Sequence, residues 1–66
     1  MPLIQVHLAE GRTDDQKRDL LSAITHAVHA SIGADLPSIR VWIVEVPATE
    51  YMTGGELLAD RRAAKG

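Results

Sequence analysis

The chain has no cysteine among its 66 residues, which excludes disulfides, thiolate metal sites and a cysteine nucleophile. Phenylalanine is absent too, and Trp42 and Tyr51 are the only aromatic residues. A core must therefore be built from Leu, Ile, Val and Ala. That is thin, because a domain of this size buries only about 60% of the surface of its unfolded chain. With disulfides gone, oligomerisation is the leading reinforcement for so small a fold. Charge of one sign is also lacking. The net charge is −2, whereas a nucleic-acid binder needs a basic patch or stripe. No apolar run approaches the roughly 20 residues that span a bilayer. The N-terminus has no charged region, apolar stretch and small-residue cleavage site of a signal peptide. The expectation is a cytoplasmic protein with neither nucleic acid nor membrane as partner.

What is present reads as one α/β (α+β) domain over residues 1–66. Residues 2–8 form a strand with Leu3, Gln5 and His7 on one side and Ile4, Val6 and Leu8 on the other. A turn over 9–12 leads to a helix at 13–32. Thr13 and Gln16 make a capping-box pattern, and Asp14 and Asp15 suit the positive end of the helix dipole. Leu20, Leu21, Ile24, Ala27, Val28 and Ile32 recur at helical spacing as one apolar stripe, and Gly33 stands where the helix should end. Residues 39–46, IRVWIVEV, are nearly continuous in apolar side chains, the pattern of a parallel strand buried on both faces. Strand, helix and strand make a β-α-β unit with a right-handed crossover. In residues 47–66, Gly54-Gly55 predicts a hairpin with a short strand near 56–59, and Asp60 onward reads as a frayed, charged tail.

A two-stranded unit does not stand alone, and its open edges invite a second copy. Two copies joined edge to edge would carry both helices on one face of a four-stranded sheet. The other face would still be apolar, so an assembly larger than a dimer is expected.

Few residues can carry chemistry. His26 and His29 are three apart on the helix, a spacing compatible with metal, but no third ligand accompanies them. His7 reads as a packed or interface histidine. Neither a metal nor a cofactor is expected. Arg12 follows the first strand and Arg40 opens the second, so a parallel unit sets them at opposite ends. Arginines from different subunits can still converge on one pocket, and two guanidiniums select carboxylates through bidentate hydrogen bonds. Pro2 is by default a strand start, where a missing N–H costs nothing. If Met1 is removed, it becomes a secondary amine. Cationic neighbours and an apolar wall disfavour the protonated form of such a group, which suits a base that moves protons.

The run PLIQVHLAEGRTDDQK, the helix, IRVWIVEV and YMTGGEL together span residues 2 to about 59. With proline at position 2, EGRT-x-x-QK and GGEL, the chain resembles the 4-oxalocrotonate tautomerase family. The resemblance implies a β-α-β protomer with a C-terminal hairpin, assembled as a hexamer, a trimer of dimers. It implies a cofactor-independent isomerase that moves a proton along a conjugated 2-hydroxy or 2-oxo mono- or dicarboxylic acid, such as a 2-hydroxymuconate-like dienol, in aromatic degradation. Pro2 then matches the general base, and Arg12 the residue that binds a substrate carboxylate. Arg40 matches the arginine that a neighbouring subunit supplies to polarise the substrate oxygen. Tyr51 stands where the family usually has Phe, as an aromatic wall. Ala9 replaces a larger aliphatic residue that contributes mainly backbone. Trp42 alternates with Arg40 on one strand face and would narrow the pocket. Thr53 occupies the position at which dehalogenase relatives carry a carboxylate, which counts against hydrolytic dehalogenation and leaves Glu50 as the nearby acid. The alternatives are a relative that hydrates or converts another enol in biosynthesis, and a non-catalytic subunit of a hetero-oligomer.

Overall fold

Alternation along the first strand decides which side of the sheet meets the helix. In the computed structural model, which describes residues 1–65, strand β1 spans Leu3–Ala9 and strand β2 spans Arg40–Val46. They run parallel, with Leu3 opposite Arg40 and Ala9 opposite Val46. Two further bonds extend the ladder. The Arg40 N–H donates to the Pro2 carbonyl at 3.0 Å, and the Glu10 N–H donates to the Val46 carbonyl at 3.0 Å. Between the strands lies helix α1, Asp14–Ile32. Its capping box is complete: the Gln16 N–H donates to Thr13 Oγ1 at 3.1 Å, and the Thr13 N–H donates to Gln16 Oε1 at 3.0 Å. Gly33 closes the helix in the left-handed conformation, donating to the His29 carbonyl.

Ile4, Val6 and Leu8 with Val41 and Ile43 are half-buried, as are Leu20, Leu21, Ile24 and Val28 of α1. Ala27 and Ile32 belong to the sequence stripe but stay exposed, Ile32 by 68%. The opposite face of the sheet is open. Leu3 is 62% exposed, and Trp42 and Val44 are exposed as well. The second strand is thus covered on one face in the protomer, where its apolar run leads one to expect two.

After a single 3-10 turn at Ala48–Glu50, strands β3 (Met52–Thr53) and β4 (Glu56–Leu57) form a separate antiparallel hairpin. Gly54 and Gly55 both take positive φ, at 58° and 93°, as a two-residue turn with the twist of a hairpin requires. The chain then departs from the sequence expectation. Instead of a frayed tail from Asp60, Leu58–Ala64 form a second helix, α2. Leu57, Leu58 and Ala59 are half-buried, and the Leu58 N–H donates to the Tyr51 carbonyl at 2.8 Å. Packing and that bond hold α2 against the preceding loop, although Leu57, the residue before it, offers no side-chain cap.

Only Ala48 is buried among the described residues, at 6% exposure. The radius of gyration is 15.2 Å, against about 11 Å for a self-contained globule of this length. The accessible surface is 4945 Å², against about 4,100 Å² for a folded monomer of this size. The chain by itself thus leaves much of its apolar surface open. Among the described residues no helix is long and apolar enough to cross a membrane.

Candidate active site

Two hydrogen bonds hold the first end of the sheet. The Pro2 carbonyl accepts from the Arg40 backbone, and Arg40 Nη1 donates to the Pro37 carbonyl at 2.8 Å. Pro2 and the base of Arg40 therefore lie side by side within one protomer. The proline nitrogen has no role in the ladder, since the bond runs through its carbonyl. While Met1 is attached that nitrogen is an amide, so the expected base requires the methionine, itself 78% exposed, to leave.

Trp42 lies further along the same strand face. Its Nε1–H donates to Gln5 Oε1 at 3.1 Å, which turns the Gln5 amide nitrogen toward His7 Nε2 at 2.8 Å. Gln5 donates there, so His7 accepts on Nε2. Trp42 is thereby fixed on the open face of the sheet, two residues along the strand from Arg40.

Ala9 and Tyr51 meet at the other end, six strand steps from Leu3, or about 20 Å at the usual rise of a strand. They line a cavity of about 230 Å³. Thr53 and Glu56 of the hairpin and Leu58, Arg61 and Arg62 of α2 complete its walls. Leu58, Arg61 and Arg62 are spaced i, i+3 and i+4, which stacks them on one helix face. Glu10 ties this end together, because its carboxylate Oε1 accepts from the Ala48 N–H at 3.0 Å. Glu50, the acid nearest in sequence to Tyr51, does not line the cavity, whereas Glu56 does.

Arg12 lies at this same end but faces a neighbouring groove of about 290 Å³, with Leu8, Gln16, Lys17 and Leu20. There the Lys17 ammonium bridges Glu45 at 3.0 Å and Asp14 at 3.6 Å. The hydrogen bond that Lys17 donates to the Glu45 carboxylate is the main reason that the Lys17 pKa rises above its ordinary value. His26 Nδ1 and His29 Nδ1 each meet a backbone carbonyl, of Ser22 and Ala34 respectively. Among the described residues no group of three His, Cys, Asp or Glu side chains is arranged to hold a metal ion.

The candidate residues are thus split. Pro2 and Arg40 share one end; Ala9 and Tyr51 share a cavity at the other, with Arg12 beside it. Glu56, Leu58, Arg61 and Arg62 were not among the residues expected from the sequence. The signal for the α2 residues was the apolar LLA followed by the arginine pair, which matches a short amphipathic helix as well as a strand and tail.

The comparisons with known proteins agree with this architecture. A family model described as tautomerase enzyme matches residues 2–61. A 2-hydroxymuconate tautomerase of Stutzerimonas stutzeri is 43% identical over 56 residues, covering 85% of this chain and 89% of that protein. Among solved structures, a 4-oxalocrotonate tautomerase isozyme from Methylibium petroleiphilum superposes with a TM-score of 0.88 at 38% identity, covering 96% of this chain and 98% of the other. A heterohexamer 4-oxalocrotonate tautomerase from Chloroflexus aurantiacus superposes with a TM-score of 0.85 at 35% identity, covering 91% and 97%. By sequence, and by superposition along nearly its whole length, the chain belongs to the 4-oxalocrotonate tautomerase family of tautomerases.

Proposed function

We propose that this tautomerase works in the cytoplasm as an oligomer, most simply a homohexamer, on a conjugated 2-hydroxy or 2-oxo dicarboxylate of the 2-hydroxymuconate type. Pro2, freed by loss of Met1, is the general base. It takes a proton from the dienol or from a carbon conjugated with the carbonyl, and its ammonium form returns that proton further along the chain of double bonds. Arg40 stabilises the negative charge that develops on the substrate oxygen. Arg12 holds a carboxylate, and Ala9, Tyr51 and Trp42 shape an enclosure of low polarity in which those charges act strongly.

The observation that carries the reading is the anchoring of Pro2 by its carbonyl alone. A secondary amine released there is already fixed in position, with its lone pair unused by the sheet. The oligomer follows from the separation of the two ends. One protomer cannot bring Pro2 and Arg12 onto a single small substrate across about 20 Å of strand, whereas neighbouring copies can. The open face around Leu3, Trp42 and Val44 gives those copies a surface to bury.

The test is kinetic. Intact mass should show the chain without its methionine, and ultraviolet absorbance should follow turnover of 2-hydroxymuconate. Pro2→Ala should lower kcat/KM by about 100-fold or more, in the range expected for losing a positioned base. Equal rates for the two proteins would sink the proline mechanism. Turnover of no enol at all by the methionine-free assembly would favour the non-catalytic alternative.

A further inference from the structure

The Ala48–Glu50 turn takes its cap from a side chain 38 residues away in sequence. It begins after Pro47, which has no side-chain oxygen to accept the first N–H. A turn of three residues also holds no acceptor of its own for that group. Ala48 is buried, so its N–H needs a partner within the protein. Glu10 Oε1 accepts it at 3.0 Å. The same residue donates its own N–H to the Val46 carbonyl at 3.0 Å. Glu10 thus grips the end of β2 by its backbone and the turn beyond it by its side chain. The ordinary fate of an exposed carboxylate would be an ion pair. Arg12 is two residues on, and a Cβ built on Gly11 would lie 3.4 Å from Arg62 Nη1. Yet Glu10 forms a salt bridge with neither among the described residues.

What this clasp fixes is the course of the chain into the cavity. Tyr51 follows the turn directly, extended at φ −121° and ψ 116°. It lines the cavity together with Ala9, the residue before Glu10. Tyr51 is 44% exposed, so packing alone does not hold it. Its carbonyl accepts from the Leu58 N–H, which carries the constraint on to α2. We propose that Glu10 is a positioning residue: its carboxylate caps the Ala48–Glu50 turn and so holds Tyr51 across the cavity from Ala9. The proposal rests on the reading above of Tyr51 as a wall of the substrate enclosure, and adds what keeps that wall in place. Glu10 itself does not line the cavity, so its effect on a substrate passes through Tyr51.

The experiment reads the clasp and the chemistry separately. Amide hydrogen exchange is followed by NMR on the intact protein and three variants. Glu10→Ala removes the acceptor, Glu10→Asp keeps the charge but falls one methylene short, and Glu10→Gln keeps the reach without the charge. In the alanine and aspartate variants the amides of Ala48 and Leu58 should exchange about tenfold faster. Amides in the middle of α1 should stay within about twofold, and Glu10→Gln should lie closer to the wild type than to Glu10→Ala. Unchanged exchange at Leu58 would overturn the proposal, because the clasp would then stop short of Tyr51. So would equal acceleration throughout α1, which marks a merely structural role, and so would an aspartate variant that matches the wild type. With 2-hydroxymuconate, Glu10→Ala should raise KM about tenfold and leave kcat within about twofold, as loss of binding rather than of chemistry does. In a Tyr51→Ala background the same change should move KM by no more than about twofold, and full additivity of the two would overturn the proposal. Absence of turnover in the wild type would sink the substrate reading instead, and the exchange rates would still decide the role of Glu10.

Discussion

The two ends of the parallel strand pair are built for different tasks. At the Pro2 end, order comes from backbone: the proline carbonyl is pinned to Arg40, and the Arg40 side chain to the Pro37 carbonyl. At the Ala9 end, order comes from packing and from elements late in the chain. The hairpin, α2 and the Glu10 clasp on Ala48 enclose a cavity with its own cations. One end holds the proposed base, fixed through its carbonyl; the other holds a cavity lined by Glu56, Arg61 and Arg62. A small parallel unit cannot do both at one end, because β1 must finish where α1 begins. On the proposed reading, association joins the two ends, and the open sheet face offers neighbouring copies a surface to bury.

The largest expected effect comes from removing that association. Val44→Lys puts a cation on the open face beside His7, where the proposed assembly would pack a second layer. Burying an unpaired charge is costly enough that sedimentation should show smaller species, and activity should fall to background together with the assembly. An intact, active oligomer would show that this face is not where copies meet. A sharper test of the division between ends mixes two inactive proteins. If every site takes Pro2 from one copy and Arg12 from another, co-refolding Pro2→Ala with Arg12→Ala should restore activity at about a quarter of the sites, by random pairing. No recovery above the separate variants would place both residues in one copy, against the distance between them.

Much of this arrangement was legible in the residues. Alternation in LIQVHLA, the Thr13–Gln16 box and the glycine pair at 54 and 55 gave strand, helix and hairpin, since each is a local preference that folding leaves intact. The opposite placing of Arg12 and Arg40 followed from parallel topology alone. Helix α2 was not legible. Leu57 provides no cap, seven residues cannot sustain a helix by propensity, and what holds it is contact with the Ala48–Glu50 turn and the Tyr51 carbonyl. A tertiary cause leaves no periodic trace in so short a segment. Arg61 and Arg62, read as a solvated tail, therefore escaped notice as walls of the cavity.

Smaller effects separate the scaffold from either end. Thr13→Ala removes the side-chain half of the capping box and should cost about 1 kcal/mol of stability, read from the urea midpoint at fixed protein concentration. Its expected kinetic effect is nil at both ends, because Thr13 lines neither the cavity nor the groove of Arg12.

The smallest effect belongs to Lys17, which ties α1 to β2 beside Arg12. Its bond to Glu45, and more weakly its pairing with Asp14, raise its pKa in the folded chain above the ordinary lysine value of 10.5. A raised folded pKa means that the folded state binds the proton more tightly than the unfolded one. The contribution to stability is thus complete below about pH 10.5, the unfolded value, and is lost as pH rises through the folded value. Lys17→Gln should accordingly unfold at slightly lower urea than the wild type at pH 8, with the gap closing in strongly alkaline solution. Ion pairs with access to water contribute little and are screened by salt, so the difference at pH 8 should also shrink when salt is added. A gap that persisted through alkaline pH and high salt would show that the Lys17 stem supports the end of the sheet by packing on Leu20 and Leu8. Charge would then have no part in holding the Arg12 end.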